Sequence, residues 1–342
     1  MIKQALSDIL NGKHLSLEDT KSVMLEIMEG SVTPAQAAAF LTAMRLKGET
    51  IDEITACAMV MRQMCLRLTP KTDVLDIVGT GGDELFTFNI STVSAFVVAS
   101  GGVPVAKHGN RSVSSKCGSA DVLEALGANI NLSAAQSEKI LEQTGICFML
   151  AQTHHSSMKH IAPIRKELGV RTIFNILGPL SNPAGATMQL LGVYDEKLVE
   201  PLANVLLKLG VKRAVVVHGR DGLDEITLTA PTTVCEISNG KLNSYFITPE
   251  QFGFKRCDPK DLTGGDPECN AKIACDILSG TERGPKRDIV LLNSALCLYM
   301  ANNNITMKES VAKAAQLIDE GHALLTLNRF IECTNRIFYE HT

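Results

Sequence analysis

Apolar residues in the first 65 positions recur at three- and four-residue spacing and stop at glycine, the pattern of short amphipathic helices. Ile2, Ala5, Leu6, Ile9 and Leu10 form one stripe, ended by Asn11-Gly12. Ser16 with Asp19 resembles a capping box with a shortened acid and precedes Val23, Met24, Ile27 and Met28. Thr33-Pro34 reads as an N-cap with proline at the first helical position, followed by Ala37, Phe40, Leu41 and Met44. Thr50 with Glu53 is a full capping box and opens a fourth helix through Met61. Such stripes need something to pack against, so residues 1–70 are expected to form a helical domain, completed by part of 165–190 and offering a dimer surface.

After the linker Leu66–Thr72 the period changes. Val74–Val78, Val103–Ala106, Ile146–Leu150 and Arg213–His218 are buried-strand candidates, separated by helical patterns from Ser91, at Ser119–Leu126 and at Ser133–Gln143. Strands alternating with helices predict an α/β fold: a small N-terminal helical domain plus a larger α/β domain, 71–342, with a mainly parallel central sheet. Thr233–Ile237 and Leu242–Ile247 flank Asn239-Gly240, a hairpin signal. Helical patterns return at Ala271–Leu278, Ile289–Asn302, Met307–Glu320 and His322–Phe338. Two uncharged stretches, Leu85–Ala106 and Thr172–Tyr194, are broken by Asn, Ser, Thr, Gly and Pro, so they read as buried or ligand-lining segments and not as membrane spans.

Charge then narrows the functions. The chain has 342 residues, and its 33 Lys plus Arg against 37 Asp plus Glu give a net charge of −4, against the basic surface of a nucleic-acid binder. No tryptophan and 4% aromatics leave little for a base-stacking platform. The start MIKQALSDILNG, interrupted by Asp8, does not read as a signal peptide. None of the 10 cysteines makes a CxxC pair, and reduced thiols in a cytoplasm are expected.

The densest motif is VLDIVGTGGDELFTFNIST at 74–92. Gly79, Gly81 and Gly82 leave a predicted strand, where glycine lets backbone N–H groups approach an anion. Thr87, Asn89, Ser91 and Thr92 add hydrogen-bonding groups at the start of the next helix, whose N-terminus favours phosphate. The spacing matches neither GxGxxG nor GxxxxGK[ST]. A second strand ends in KHGNRSVSSKCGSAD at 107–121, carrying Lys107, Arg111 and Lys116. Ligands of open α/β sheets bind at strand carboxyl ends, so the two loops should converge on a polyphosphate. Mg²⁺ usually accompanies one, and Asp224-Glu225, just past the Arg213–His218 strand, is the best carboxylate pair; taken alone it reads as a solvated turn.

In combination, GTGGD at 79–83, FNIST at 88–92, KHGNR at 107–111, GSADVLEALG at 118–127, APIRKELGVRTIFNILGPLSNP at 162–183 and Asp224-Glu225 make the chain resemble, over nearly its whole length, the anthranilate phosphoribosyltransferases of tryptophan biosynthesis. The resemblance implies a fold similar to the nucleoside phosphorylases, typically a homodimer through the helical domain. It also implies transfer of the phosphoribosyl group of phosphoribosyl pyrophosphate to the amine of anthranilate, with pyrophosphate released. Carried onto this chain, Gly79, Gly82, Asp83, Thr87, Asn89, Ile90, Ser91, Thr92, Lys107, His108, Gly109, Asn110, Arg111, Ser112, Val113, Ser114, Ser115 and Ser119 would bind phosphoribosyl pyrophosphate. Gly79, Asn110 and Arg165 would meet anthranilate, and Lys107, His108 and Arg165 would carry catalysis. Ser91, Asp224 and Glu225 would hold Mg²⁺, two ions per subunit.

Two departures stand out: Glu84-Leu85-Phe86 where relatives commonly have a small residue after GTGGD, and His155-Ser156-Ser157 where they usually read His-Pro-Ala. The spacing of His155 and His160 does not suit a zinc site, and His218, at a strand end near Asp224, reads as a packing residue or one that supports a ligand from behind, not as a ligand itself. Without the resemblance, Arg165 beside Lys166 and Glu167 would read as a helix-surface charge. The rival readings are a nucleoside phosphorylase of the same fold and a non-catalytic nucleic-acid-binding relative.

Overall fold

The computed structural model describes residues 1–112, 116–302 and 304–339, and only the backbone of the last two. Four helices come first: α1 (Ile2–Leu10), α2 (Leu17–Met28), α3 (Pro34–Lys47) and α4 (Ile51–Met64). Then come β1 (Leu75–Gly79), α5 (Ile90–Ser100), β2 (Val105–Gly109), α6 (Ser119–Ala125), α7 (Ala134–Thr144) and β3 (Ile146–Leu150). The middle of the chain gives α8 (Ala151–His154), α9 (Ala162–Leu168), α10 (Phe174–Leu180), β4 (Met188–Gly192), α11 (Val199–Lys208) and β5 (Arg213–Gly219). The ribbon β6 (Thr232–Ser238) and β7 (Lys241–Ile247) precedes α12 (Pro267–Leu278), α13 (Pro285–Ala301), α14 (Met307–Asp319) and α15 (His322–Tyr339). No helix among the described residues is long and apolar enough to cross a membrane.

Local chemistry sets the helix starts. Ser16 accepts from the Asp19 N–H, and Thr33 with Gln36 and Thr50 with Glu53 form reciprocal capping boxes. Glu53 is fully buried, yet accepts from Leu15 N at 2.9 Å and Lys47 Nζ at 2.7 Å, which keeps its carboxyl below the ordinary value despite burial. At the β6–β7 turn, Asn239 and Gly240 take φ of 52° and 72°, the left-handed pair that a two-residue hairpin requires.

The sheet runs β3-β2-β1-β4-β5-β6-β7; β1 to β5 are parallel, and β6 and β7 are antiparallel. Strand order reverses between β1 and β4, the switch point where open α/β sheets bind ligands. β4, α11 and the helices α8 to α10 do not emerge from the hydrophobic pattern. β4 is a central strand buried on both faces, so it shows no alternation against an already uncharged stretch.

Alternation along the strands divides the interior in two. Leu75, Ile77, Leu190, Val215 and Val217 join the core under α5 and α13, whereas Leu191, Ala214 and Val216 join the opposite one. That second core also takes in α1 to α4, α10 and α11. Leu41 and Met44 are fully buried within the subunit, where α3 packs on α1 and α9, and α4 on α2, α10 and α11, whereas Leu10 of the α1 stripe stays exposed.

Candidate active site

β1 and β4 run side by side and end in paired glycines, Gly79 opposite Gly192. A Cβ on Gly79 would strike the Asp224 carboxylate, and one on Gly192 its backbone carbonyl, so both are glycine because the β5–β6 connection is drawn over the switch point. Asp224 Oδ2 accepts from Gly81 N at 2.7 Å, while Thr80 N donates to Gly192 O at 2.9 Å and Tyr194 N to Thr80 Oγ1 at 3.1 Å. The glycine loop and the acidic pair, 143 residues apart in sequence, therefore meet.

Lys107, on β2, is 3% exposed; its Nζ donates to Ile77 O at 2.5 Å and Ser91 Oγ at 3.3 Å. Burial lowers its pKa, opposed by the nearby charges of Asp76 and Glu225. Glu225 is buried and Asp224 half-buried. Burial raises both carboxyls, reinforced for Asp224 by Asp83 and for Glu225 by Asp224, while Lys107 and a hydrogen bond from the Ser91 backbone lower Glu225. Ser91, Asp224 and Glu225, named separately by sequence, thus share one space with Asp83. Hard oxygen donors that repel one another in a buried space fit a divalent cation.

Asp76 escaped sequence reading, although an acid in the centre of the apolar run VLDIV was its signal. It is fully buried, accepts from Asn182 Nδ2 at 2.7 Å and His108 N at 3.2 Å, and is pushed up to about 6 by burial. Asn182 Nδ2 also donates to Ala106 O at 2.9 Å, tying β1 to β2 from below.

The remaining phosphate-side candidates divide. α5 starts at Asn89 without a side-chain cap bond; Asn89 instead links Cys117 O and Asn270 Nδ2. Ile90 lies in the core, and Thr92 Oγ1 is buried without a hydrogen-bond partner among the described residues. Asp121 shapes the basic loop by accepting from Ser112 N at 2.9 Å and Gly118 N at 2.8 Å. Ser119 Oγ donates to Asn110 O at 3.3 Å, and a Cβ on Gly109 would meet that hydroxyl. Arg111 is paired within the chain: Glu124 holds its guanidinium bidentately at 2.5 and 2.8 Å, with Asp121 at 3.3 Å. Val113, Ser114 and Ser115 lie outside the described residues.

His108 follows Lys107 and so faces the other side of β2. Its ring lies 5.1 Å from that of His155, and burial with the neighbouring imidazoles His155 and His154 holds its pKa well below the ordinary value. His155 is lowered to about 4, chiefly by burial. Nε2 of His108 and of His154 are buried with no protein partner among the described residues. His218, by contrast, hydrogen-bonds Val193 O at 2.7 Å and packs, as expected. Arg165, on α9, is half-buried over the Phe174 ring at 5.3 Å, and no carboxylate of the described residues lies within ion-pair distance. Burial alone lowers its pKa.

A helical bundle joined to a doubly wound sheet, with acids and a lysine at its switch point, is the build of a two-domain glycosyl-transferring enzyme. Residues 3–65 match the Glycosyl transferase family, helical bundle domain, and 71–324 the Glycosyl transferase family, a/b domain. The chain is 69% identical to the anthranilate phosphoribosyltransferase of Ruminiclostridium cellulolyticum over 335 residues, 98% of each. The enzyme of the same name from Thermus thermophilus superposes with a TM-score of 0.92 at 42% identity, covering 97% of this chain and 99% of that one. The Saccharomyces cerevisiae enzyme, solved with PRPP and Mg, gives 0.90 at 28% identity and covers 98% of each chain. The chain belongs to the anthranilate phosphoribosyltransferase family.

Proposed function

We propose that this chain joins phosphoribosyl pyrophosphate to anthranilate at the β1–β4 switch point, with the acids and Lys107 on one side of β2 and His108 with Arg165 on the other. The reaction is phosphoribosyl transfer in tryptophan synthesis, giving N-(5-phosphoribosyl)anthranilate and pyrophosphate. The observation that carries the placement is the convergence of Gly81, Lys107, Ser91, Asp224 and Glu225 on one buried, electrostatically frustrated space.

Displacement at the anomeric carbon passes through an oxocarbenium-like state. The amine lone pair forms the C–N bond as the C–O bond to pyrophosphate breaks, its electrons leaving with the diphosphate, and the acidic anilinium so formed gives its extra proton to the departing pyrophosphate or to water. The anthranilate amine is neutral near pH 7, so positioning and electrostatics supply most of the rate. Ser91, Asp224 and Glu225, with Asp83 beside them, would hold two Mg²⁺ ions, which when bound neutralise the charge of the leaving group. Lys107 adds a fixed positive charge. Ile77 O holds that lysine in place, and the glycine loop from Gly79 to Gly82, with the basic loop, would surround the phosphates. Arg165 pairs with the anthranilate carboxylate, because a half-buried guanidinium without an acid is completed by one. His108 stays neutral, and its Nε2 is free for a hydrogen bond to the bound amine or carboxylate.

The 10 cysteines are all free, which suits a reducing cytoplasm. Leu10 and Leu46, 76% and 83% exposed on α1 and α3, are the surface through which we propose a homodimer. The test of function is direct: protein, Mg²⁺, phosphoribosyl pyrophosphate and anthranilate are mixed and anthranilate fluorescence followed, without interference from tryptophan, which the chain lacks. Fluorescence should fall in step with pyrophosphate release. Unchanged fluorescence alongside phosphorolysis of pyrimidine nucleosides would overturn the reading in favour of the phosphorylase.

A further inference from the structure

Arg171 sits between α9 and α10, six residues beyond Arg165, in a segment with no role assigned above. Its Nη2 donates to Gly82 O at 2.5 Å, and the same guanidinium lies 3.7 Å from Glu84 Oε1 and 4.3 Å from the centroid of the Tyr194 ring. Tyr194 in turn donates its N–H to Thr80 Oγ1, so Thr80, Tyr194, Arg171 and Gly82 close a ring of contacts around the glycine loop. Just past that ring Glu84 and Phe86 take φ of 61° and 54°, where side chains are disfavoured. Beyond it the loop is tied down again, as Gly264 N donates to Phe86 O at 2.9 Å. A loop with two left-handed non-glycine residues keeps that shape only if its surroundings impose it, and the Arg171 guanidinium is the side chain that reaches its middle.

We infer that Arg171 is a positioning residue, a clamp on Gly82 that sets the turn of the glycine loop, and with it the Gly82 backbone N–H, for the pyrophosphate of the substrate. This rests on the reading that the Gly79–Thr87 loop meets phosphoribosyl pyrophosphate. A planar guanidinium is suited to the task, because it donates to Gly82 and stacks on Tyr194 at once, which an ammonium cannot reproduce. The Glu84 contact adds little, since that side chain is 82% exposed.

Steady-state constants for both substrates, with melting temperatures, test the clamp on Arg171→Ala, Arg171→Lys and Glu84→Ala. Arg171→Ala should raise KM for phosphoribosyl pyrophosphate about tenfold or more while kcat and KM for anthranilate change less. Arg171→Lys should recover part of that loss, and Glu84→Ala should stay within about twofold of wild type. A purely structural Arg171 would lower the melting temperature and kcat while leaving KM unmoved, and that pattern overturns the clamp. If the loop did not meet this substrate at all, Asp83→Asn and Thr87→Ala would also leave its KM unchanged. Failure of the clamp alone leaves those two impaired and Arg171→Ala normal.

Discussion

Lys107 and His108 are neighbours on β2, yet the two sides of that strand bury charge in opposite ways. On the Lys107 side, Asp224 and Glu225 crowd together and are pushed up by burial and mutual repulsion, so the site is short of positive charge. On the His108 side, burial and adjacent imidazoles keep the histidines neutral, and Arg165 stands without an acid. One side is suited to a divalent cation and a polyanion, the other to a small carboxylate with a hydrogen-bonding amine. The same physical cause, loss of water, thus creates complementary demands a few ångströms of backbone apart.

The largest test is Asp224→Asn with Glu225→Gln, which keeps shape and removes the charge for the metal. Turnover at ordinary Mg²⁺ should fall on the order of 1,000-fold or more, with two groups each worth about 100- to 1,000-fold if they acted alone. Turnover near wild type with unchanged Mg²⁺ dependence would reduce the pair to a turn. Next comes Arg165→Ala, which should raise KM for anthranilate about 30- to 1,000-fold through loss of a charged, partly desolvated pair. KM for phosphoribosyl pyrophosphate should move little, and Arg165→Lys should recover only part. Equal damage to both constants would withdraw the carboxylate-anchor role.

A smaller effect separates the two sides by pH. Carboxyls raised in the folded protein stabilise it fully below the ordinary range near pH 4, and that stability is lost as pH rises through their raised values. Without Mg²⁺, therefore, the melting temperature of wild type should decline with rising pH relative to Asp224→Asn/Glu225→Gln, and Mg²⁺ should remove the difference. Imidazoles lowered in the folded state act with the opposite sign, stabilising as pH rises toward about 6.5, but both proteins carry them, so the difference isolates the carboxyls and should develop between about pH 4 and about 8. A wild type whose stability rises relative to the variant would refute the acidic frustration. Smallest of all is the surface test. Leu46→Glu should leave the subunit's own stability within about 0.5 kcal/mol yet weaken self-association seen by sedimentation, whereas Leu41→Asp should cost about 3 kcal/mol or more. A wild-type monomer at micromolar concentration would end the dimer proposal.

Helix caps were legible because their chemistry is local: Thr33 announces its helix through Pro34 and Thr50 through Glu53 three residues on, whereas Gln36 completes the Thr33 box only in the structure. The Asn239-Gly240 turn was legible for the same reason. β4 was not, since a strand buried on both faces carries no alternation and pairs only through β1 and β5. Among site residues, the glycine loop, Lys107 and Asp224-Glu225 were named in advance. Asp76 could have been found as an acid inside an apolar strand, while Arg171 offered no signal beyond its charge.

By itself, then, the sequence determined what depends on neighbours along the chain: periodicity, caps, turns, the division near residue 70, and the motifs that tie it to its family. Tertiary structure decided which charges are free. Arg111 and Arg165 look alike in sequence, but Glu124 from α6 occupies the first with a bidentate pair, while no acid of the described residues reaches the second. Leu41 and Leu46 are the same residue type on one helix, but packing of α3 on α1 and α9 goes with burial of the first, while the second stays exposed. The reason is that burial and electrostatic pairing are set by residues distant in the chain, and their energies depend on the water removed when those residues meet.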